Sequence, residues 1–160
     1  MNTKSLYQEV ILDHNRNPRN YGSLDNANRS AEGHNPLCGD HLNIKINLSE
    51  GYINDITFQG ESCAICKASA SMMTANVKGK KQADAETMIK EFREMTIGKL
   101  EPDDNHHLGR LTIFVGVRDL PTRVKCAILP WHTLQAALNS VATISTEADD
   151  DPMHVSIGNA

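Results

Sequence analysis

The sequence lacks two features that would place it at a membrane or on a nucleic acid. No stretch in its 160 residues approaches the roughly 20 consecutive apolar residues that cross a bilayer. Its formal net charge is −4, and no stripe of Lys and Arg indicates nucleic-acid binding. The opening residues, MNTKSLYQEV, contain no apolar run of signal-peptide length. We therefore expect a cytoplasmic protein without membrane or nucleic-acid partners.

Aromatic residues are also scarce, at 4% of the chain, so the core must rest on aliphatic side chains and methionine. Hydrophobic residues still make up 39%, which is enough for one globular domain of this length. The last twenty residues lack Lys and Arg and contain four acidic residues. We predict one domain over residues 1–140, followed by an acidic flexible tail over 141–160.

Alternating apolar residues predict a β-hairpin in the first half of the chain. The first strand has them at every second position: Leu42, Ile44, Ile46 and Leu48. A turn at 49–51 leads to a second strand over 52–59, and a short strand is predicted at 29–33. Because a hairpin returns its two ends to one edge of a sheet, the loops before and after it should lie close together.

Helical patterns surround this hairpin. They cover four segments: residues 5–17, 62–79, 83–96 and 121–140. Ser5 and Ser62 are the predicted N-caps of the first two helices. Pro130 predicts a kink or a restart in the last one. The expected fold is α+β, with a small, mostly antiparallel sheet of about three strands and helices packed on one face.

Four cysteines are present: Cys38, Cys63, Cys66 and Cys126. In a protein without a targeting signal they favour metal binding or thiol chemistry over disulfides. Asp40 shares a loop with Cys38, and three thiolates with one carboxylate could form a tetrahedral zinc or iron–sulfur site. Spacing alone also leaves open a C-x-x-C redox pair of Cys63 and Cys66. A hairpin before this pair, instead of a βαβ unit, disfavours that second interpretation.

Four stretches of the chain resemble the NifU N-terminal/IscU family of iron–sulfur cluster assembly proteins. They are LYQEVILDHNRNPRN, HNPLCGD, GESCAICKASASMMT and RVKCAILPWHTL, which occur in order over about residues 5–140. Within the family the chain is more similar to the SufU branch, because Lys125 stands where the IscU branch has a histidine. An insertion between the third helix and the last cysteine also resembles the SufU branch. The resemblance implies a SufE/NifU-like fold.

The resemblance also implies a site. Cys38, Asp40, Cys63 and Cys126 match the family's ligands, which bind Zn²⁺ in SufU-like members. Cys38 would accept sulfur from a pyridoxal-phosphate cysteine desulfurase and pass it to a downstream assembly scaffold or to apo-acceptors. Arg123 would support the site. The chain would then be a zinc-dependent sulfurtransferase of the SUF system.

Two alternatives stay open. In the first, the chain is a non-enzymatic scaffold that holds iron or a [2Fe–2S] cluster at the same ligands and transfers the cluster. In the second, weaker one, it is a thiol–disulfide protein that uses Cys63 and Cys66. Cys66 could also be an accessory thiol of the metal site or a small buried residue of the helix. His34 and His41 flank the Cys38 loop and are candidates to support its ligands, but we expect both to be solvated.

Overall fold

A computed structural model describes residues 3–140 and 143–146 of the chain. Its elements, in order, are α1 (Thr3–Arg16), β1 (Arg29–Asn35), β2 (Asp40–Ser49), β3 (Tyr52–Glu61), α2 (Ala64–Val77), α3 (Gln82–Thr96), a 3₁₀ segment (Gly109–Val117), α4 (Pro121–Leu138) and β4 (Thr143–Ser145). The predicted α+β class is confirmed. Within the described ranges, no helix is both long and apolar enough to cross a bilayer.

The strands form one sheet in the order β3-β2-β1-β4. The three strands predicted from the sequence pair antiparallel, with β2 in the middle. The short strand β4 adds to the far side of β1 in parallel, which the sequence pattern did not predict. It belongs to the segment 141–160 that was expected to be a flexible tail, and residues 141–142 and 147–160 lie outside the described residues.

The sheet has one buried face and one open face. Leu42, Ile44 and Ile46 of β2 point to the buried face and are almost completely enclosed, whereas His41 and Lys45 lie on the open face. Helices α2 and α4 pack on the buried side, as predicted. Burial of each large aliphatic side chain contributes about 1.5–3 kcal/mol. This alternation decides which side chains near the Cys38 loop face inward.

A glycine keeps the end of the hairpin narrow. Gly60 of β3 has a φ of 137°, and a Cβ at this position would collide with the backbone carbonyl of His41 in β2. Only glycine permits both this backbone conformation and this close approach. The end of β3 therefore stays against the start of β2, and the chain enters α2 directly beside the Cys38 loop.

Two predicted helix N-caps were wrong. Helix α1 begins at Thr3, so Ser5 lies inside the helix and does not cap it. The N-cap of α2 is Cys63 and not Ser62. Helix α4 continues through Pro130 without a restart, and buried residues flank the proline on both sides. A kink at Pro130, the other expected outcome, stays a prediction. Pro130 still lacks the N–H that would donate to the carbonyl of Cys126.

Candidate metal centre

Three separate elements place the predicted ligands at one end of the sheet. Cys38 lies in the loop between β1 and β2, and Asp40 is the first residue of β2. Cys63 follows β3 and caps α2. Cys126 lies in the second turn of α4, which packs against β1. The hairpin and α4 thus bring together residues that are up to 88 positions apart.

The donor atoms of the four residues form a compact cluster, which we call the thiol cluster. Those of Cys38, Asp40 and Cys126 all lie within 4.8 Å of one another. The sulfurs of Cys126 and Cys38 are 3.3 Å apart. The sulfur of Cys63 lies 3.8 Å from Oδ2 of Asp40. The structure therefore brings the donor atoms of Cys38, Asp40 and Cys126 together and places the sulfur of Cys63 beside the Asp40 carboxylate.

The thiol cluster has a buried side and an open side. Asp40 is only 2% exposed and Cys126 is also buried, whereas Cys38 is exposed and Cys63 is half-buried. Oδ1 of Asp40 accepts a hydrogen bond of 2.7 Å from the backbone N–H of Cys63. This bond fixes the carboxylate at the positive end of α2, where a negative charge is favoured. A molecule that approaches from solvent would reach Cys38 first.

Sequence reasoning missed Asn35, which contacts the buried side of the thiol cluster. Asn35 is completely buried at the end of β1. Its Nδ2 lies 3.5 Å from both Oδ2 of Asp40 and Sγ of Cys126, and it donates to each. Its Oδ1 accepts a hydrogen bond of 3.2 Å from the hydroxyl of Thr146. The alternation of Ala31, Gly33 and Asn35 toward the buried face is the signal that could have identified it.

Hydrogen bonds among the thiols of the cluster shift their pKa values. The pKa of Cys63 is lowered to about 7, chiefly by a hydrogen bond with Cys126 and also by the backbone N–H of Cys66, while burial opposes both effects. The pKa of Cys126 is raised, first by its hydrogen bond with Cys63 and then by burial. Of these two thiols, Cys63 is therefore the one that ionises first, with the proton held on Cys126.

Cys66 contributes through its backbone. Its side chain is completely buried, and burial raises the pKa of its thiol well above the ordinary value. Its N–H lies 3.4 Å from the sulfur of Cys63 and donates to it as the helix cap. A buried, protonated thiol is a poor nucleophile. These observations disfavour a redox pair formed by Cys63 and Cys66.

Arg123 lines an apolar groove of about 970 Å³, which also reaches Ala64 and Ile65, the residues directly after Cys63. The groove runs between α1, the start of α2, the 3₁₀ segment and the start of α4. Tyr7 and Ile65 line it together with Arg123. Burial raises the pKa of Tyr7, and the guanidinium of Arg123 partly offsets this effect. Arg123 thus places a positive charge on this groove, where it acts on Tyr7.

Comparison with known proteins agrees with this arrangement. Residues 6–127 match the profile of the NifU-like N-terminal domain. The chain belongs to this family. All four residues of the thiol cluster fall within the matched range.

Individual NifU-like proteins extend the match over most of the chain. The zinc-dependent sulfurtransferase SufU of Bacillus subtilis is 43% identical over 134 residues, which cover 84% of this chain and 90% of that protein. The iron–sulfur cluster assembly scaffold protein IscU of Streptococcus pyogenes is 35% identical and covers 91% of both chains. A crystal structure of the N-terminal part of a NifU-like protein from Brucella abortus superposes with a TM-score of 0.77, over 86% of this chain and 94% of that one. It is 22% identical and thus supports the fold alone.

Proposed function

We propose that this protein is a zinc-dependent sulfurtransferase of iron–sulfur cluster assembly, in which Cys38 accepts sulfur from a cysteine desulfurase. The observation that carries the proposal is the asymmetry of the thiol cluster. One thiol, Cys38, is exposed, while Asp40 and Cys126 behind it are buried. The similarity to the B. subtilis sulfurtransferase supports the same activity.

The donor set fits a zinc ion. Cys38, Asp40, Cys63 and Cys126 offer three sulfurs and one carboxylate oxygen, which suits a four-coordinate tetrahedral site. Bound zinc would keep the coordinated thiols deprotonated at neutral pH. The carboxylate is the hard ligand among soft thiolates, so the site is more exchangeable than one of four cysteines. Asn35 and the N–H of Cys63 hold the Asp40 carboxylate in place.

The transfer itself is a thiol exchange at sulfur. The Cys38 thiolate attacks the terminal sulfur of a persulfide on the desulfurase cysteine. A new S–S bond forms as the old one breaks, and the desulfurase cysteine leaves as a thiolate. The step needs no external oxidant or reductant, because one persulfide replaces another. Cys38 then carries the sulfur to a downstream assembly scaffold or apo-acceptor.

The surface around Cys38 suits a protein partner. Leu37, directly before Cys38, is 61% exposed, and Leu120 is exposed at the rim of the neighbouring groove. Exposed large apolar side chains next to a reactive group are typical of interaction surfaces. We assign this side to a pyridoxal-phosphate cysteine desulfurase in the cytoplasm, with Arg123 as a supporting charge at its edge.

Alanine release by a cysteine desulfurase tests the proposal. The zinc-loaded protein is titrated into the desulfurase with cysteine and a reductant, and without iron. We expect a large increase in turnover at substoichiometric protein, because the acceptor cycles. Cys38→Ala should remove the increase, whereas Cys66→Ala should keep it. Stimulation that survives Cys38→Ala would refute the acceptor role, and loss in Cys66→Ala would favour the redox alternative.

A scaffold for a [2Fe–2S] cluster is the second candidate. It is favoured by the similarity to the S. pyogenes scaffold protein over most of both chains. Anaerobic incubation with iron and sulfide, followed by addition of an apo-ferredoxin, tests it. A coloured product that transfers its cluster, together with no stimulation of alanine release, would favour the scaffold over the sulfurtransferase.

A further inference from the structure

A second group of metal-ligating side chains lies on the open face of the sheet. It consists of Glu32 and His34 on β1 and His41 on β2, and we call it the histidine cluster. Glu32 and His41 are 48% and 46% exposed at their side chains. None of the three belongs to the thiol cluster, because successive strand residues point to opposite faces.

The register of the sheet brings these three side chains together. His34 lies directly opposite His41 across the β1–β2 pair, and their ring centroids are 4.6 Å apart. Glu32 lies two residues before His34 and therefore on the same face. One donor atom from each of the three residues lies within 4.8 Å of the others. Nε2 of His41 is 4.0 Å from Oε2 of Glu32.

This donor set has a defined chemistry. Two imidazoles and one carboxylate are the ligands of open zinc sites and of other divalent first-row transition metals. We propose that the histidine cluster is a second metal site of this protein, and that it binds a divalent transition-metal ion such as Zn²⁺ with positions left open to water. The proposal does not depend on the sulfurtransferase activity.

The neighbourhood favours a cation at this place. Glu61 of β3 lies directly opposite His41 on its other side, and residues opposite each other in an antiparallel pair share a face. A second carboxylate therefore faces the histidine cluster from the neighbouring strand. An ion bound by His34 and His41 would also join β1 to β2 at the base of the Cys38 loop.

The chain offers a matched control elsewhere on its surface. His107 is exposed and lies 3.2 Å from the carboxylate of Glu91. This pair has two of the three kinds of contact that the histidine cluster would offer, namely one imidazole and one carboxylate, and it lacks the second imidazole. If surface histidines bind zinc weakly in general, then the His107–Glu91 pair and the histidine cluster should both contribute. If the histidine cluster is a specific site, then binding of the second ion should depend on Glu32, His34 and His41 alone.

Equilibrium dialysis of the reduced full-length protein against Zn²⁺, with elemental analysis, tests the proposal. We expect two zinc ions per chain. His41→Ala and Glu32→Gln should each lower the affinity for the second zinc ion by at least about tenfold. The loss of a direct ligand should exceed the loss caused by removing a residue that only supports a ligand. His107→Ala should retain both ions. One ion per chain in the unaltered protein, or a second ion unaffected by His41→Ala and Glu32→Gln, would overturn the proposal.

Co²⁺ in place of Zn²⁺ tells the two sites apart. An ion in the thiol cluster should show sulfur-to-cobalt charge-transfer absorption, whereas one in the histidine cluster should show only ligand-field bands. His41→Ala should remove the ligand-field increment of the second ion and keep the charge-transfer band. A second equivalent of Co²⁺ that adds more charge-transfer absorption would be bound by sulfur, and this result would refute the proposal.

Circular dichroism melts establish that each variant is folded. The near-isosteric Glu32→Gln keeps the test valid if His41→Ala unfolds.

Discussion

Next to the Cys38 loop, the buried face and the open face of the β1–β2 strand pair carry different side chains. On the buried face Asn35 and Asp40 support the thiol cluster. On the open face the next residues, His34 and His41, form the histidine cluster with Glu32. One pair of strands thus presents sulfur and carboxylate to the inside and imidazole and carboxylate to the solvent.

The comparison of the two faces shows that a buried ligand needs hydrogen-bond partners from the protein, whereas an exposed ligand can use water. Inside, every polar atom must be satisfied without water, and Asp40 accepts from both Asn35 and the Cys63 N–H. Outside, water solvates the imidazoles, so no comparable support is needed. Electrostatic interactions are also stronger at the buried cluster, because the effective dielectric constant is lower there. We expect tighter, more specific binding at the thiol cluster and weaker, faster exchange at the histidine cluster.

The largest expected effect comes from Cys126→Ser. It removes a buried ligand, so zinc affinity of the thiol cluster should fall by more than the roughly 100-fold that loss of an outer partner costs. The histidine cluster should keep its ion. Zinc titrations of this variant and of His41→Ala should show complementary losses. Equal loss of both ions in Cys126→Ser would mean that the two faces are not independent.

Asn35→Asp is the next change. It keeps the shape of the side chain but replaces the donating amide with a carboxylate beside Asp40. We expect a roughly 10–100-fold loss of zinc affinity at the thiol cluster. Competition with a chromophoric chelator measures it, and the ion of the histidine cluster should be unaffected. Unchanged affinity would show that the two 3.5 Å contacts of the amide do not support the ligands.

The reactivity of Cys63 should depend on pH in a characteristic way. Because its pKa is lowered to about 7, its thiolate predominates above that pH in the metal-free protein. Alkylation of Cys63 should therefore reach half its maximal rate near pH 7, against about 8.5 for an ordinary thiol. Mass spectrometry after timed labelling measures this for each cysteine. A midpoint at the ordinary value would contradict the prediction, and the unfolded protein is the control.

Adding one equivalent of zinc before alkylation tests which of the two clusters binds zinc first. It should protect Cys63 from alkylation, because it occupies the thiol cluster first. A further equivalent should add little protection. Protection that develops only with the second ion would reverse the expected order of affinities for the two faces.

Gly39→Ala should have the smallest effect. Gly39 lies between Cys38 and Asp40 with a φ of +74°, and a Cβ there would meet open space. The substitution should cost about 1–2 kcal/mol of folding free energy through backbone strain alone. Gly98→Ala is the matched control, since Gly98 has a φ of +87° and similar open space.

Both glycine variants should lose similar stability in chemical denaturation. Only Gly39→Ala should also weaken zinc binding at the thiol cluster, because only this loop positions Cys38 and Asp40. Equal zinc affinity in both variants would show that the loop backbone does not set the ligand geometry.

Sequence periodicity was sufficient for the parts of the fold governed by local physics. The apolar alternation of Leu42 to Leu48 predicted the hairpin, and the hairpin predicted that the loops of Cys38 and Cys63 would meet. The N-cap of α2 was misplaced by one residue. Ser62 has the usual capping side chain, but the sulfur of Cys63 caps the helix instead, and the N–H of Cys63 donates to Asp40. Such a contact with another strand is not visible in the local sequence pattern.

The amino-acid sequence by itself determined the three antiparallel strands, the four helices, the family and the four candidate ligands of the thiol cluster, because these depend on local pattern and on motifs. Only the tertiary structure decided the roles of Asn35 and of the histidine cluster. Asn35 reaches Cys126 across 91 positions. His34 and His41 become neighbours through strand register, and the alternation along each strand turns them away from Asn35 and Asp40, which face the thiol cluster. Residue spacing carries no information about such contacts, since they arise only when strands pair and a helix packs against them.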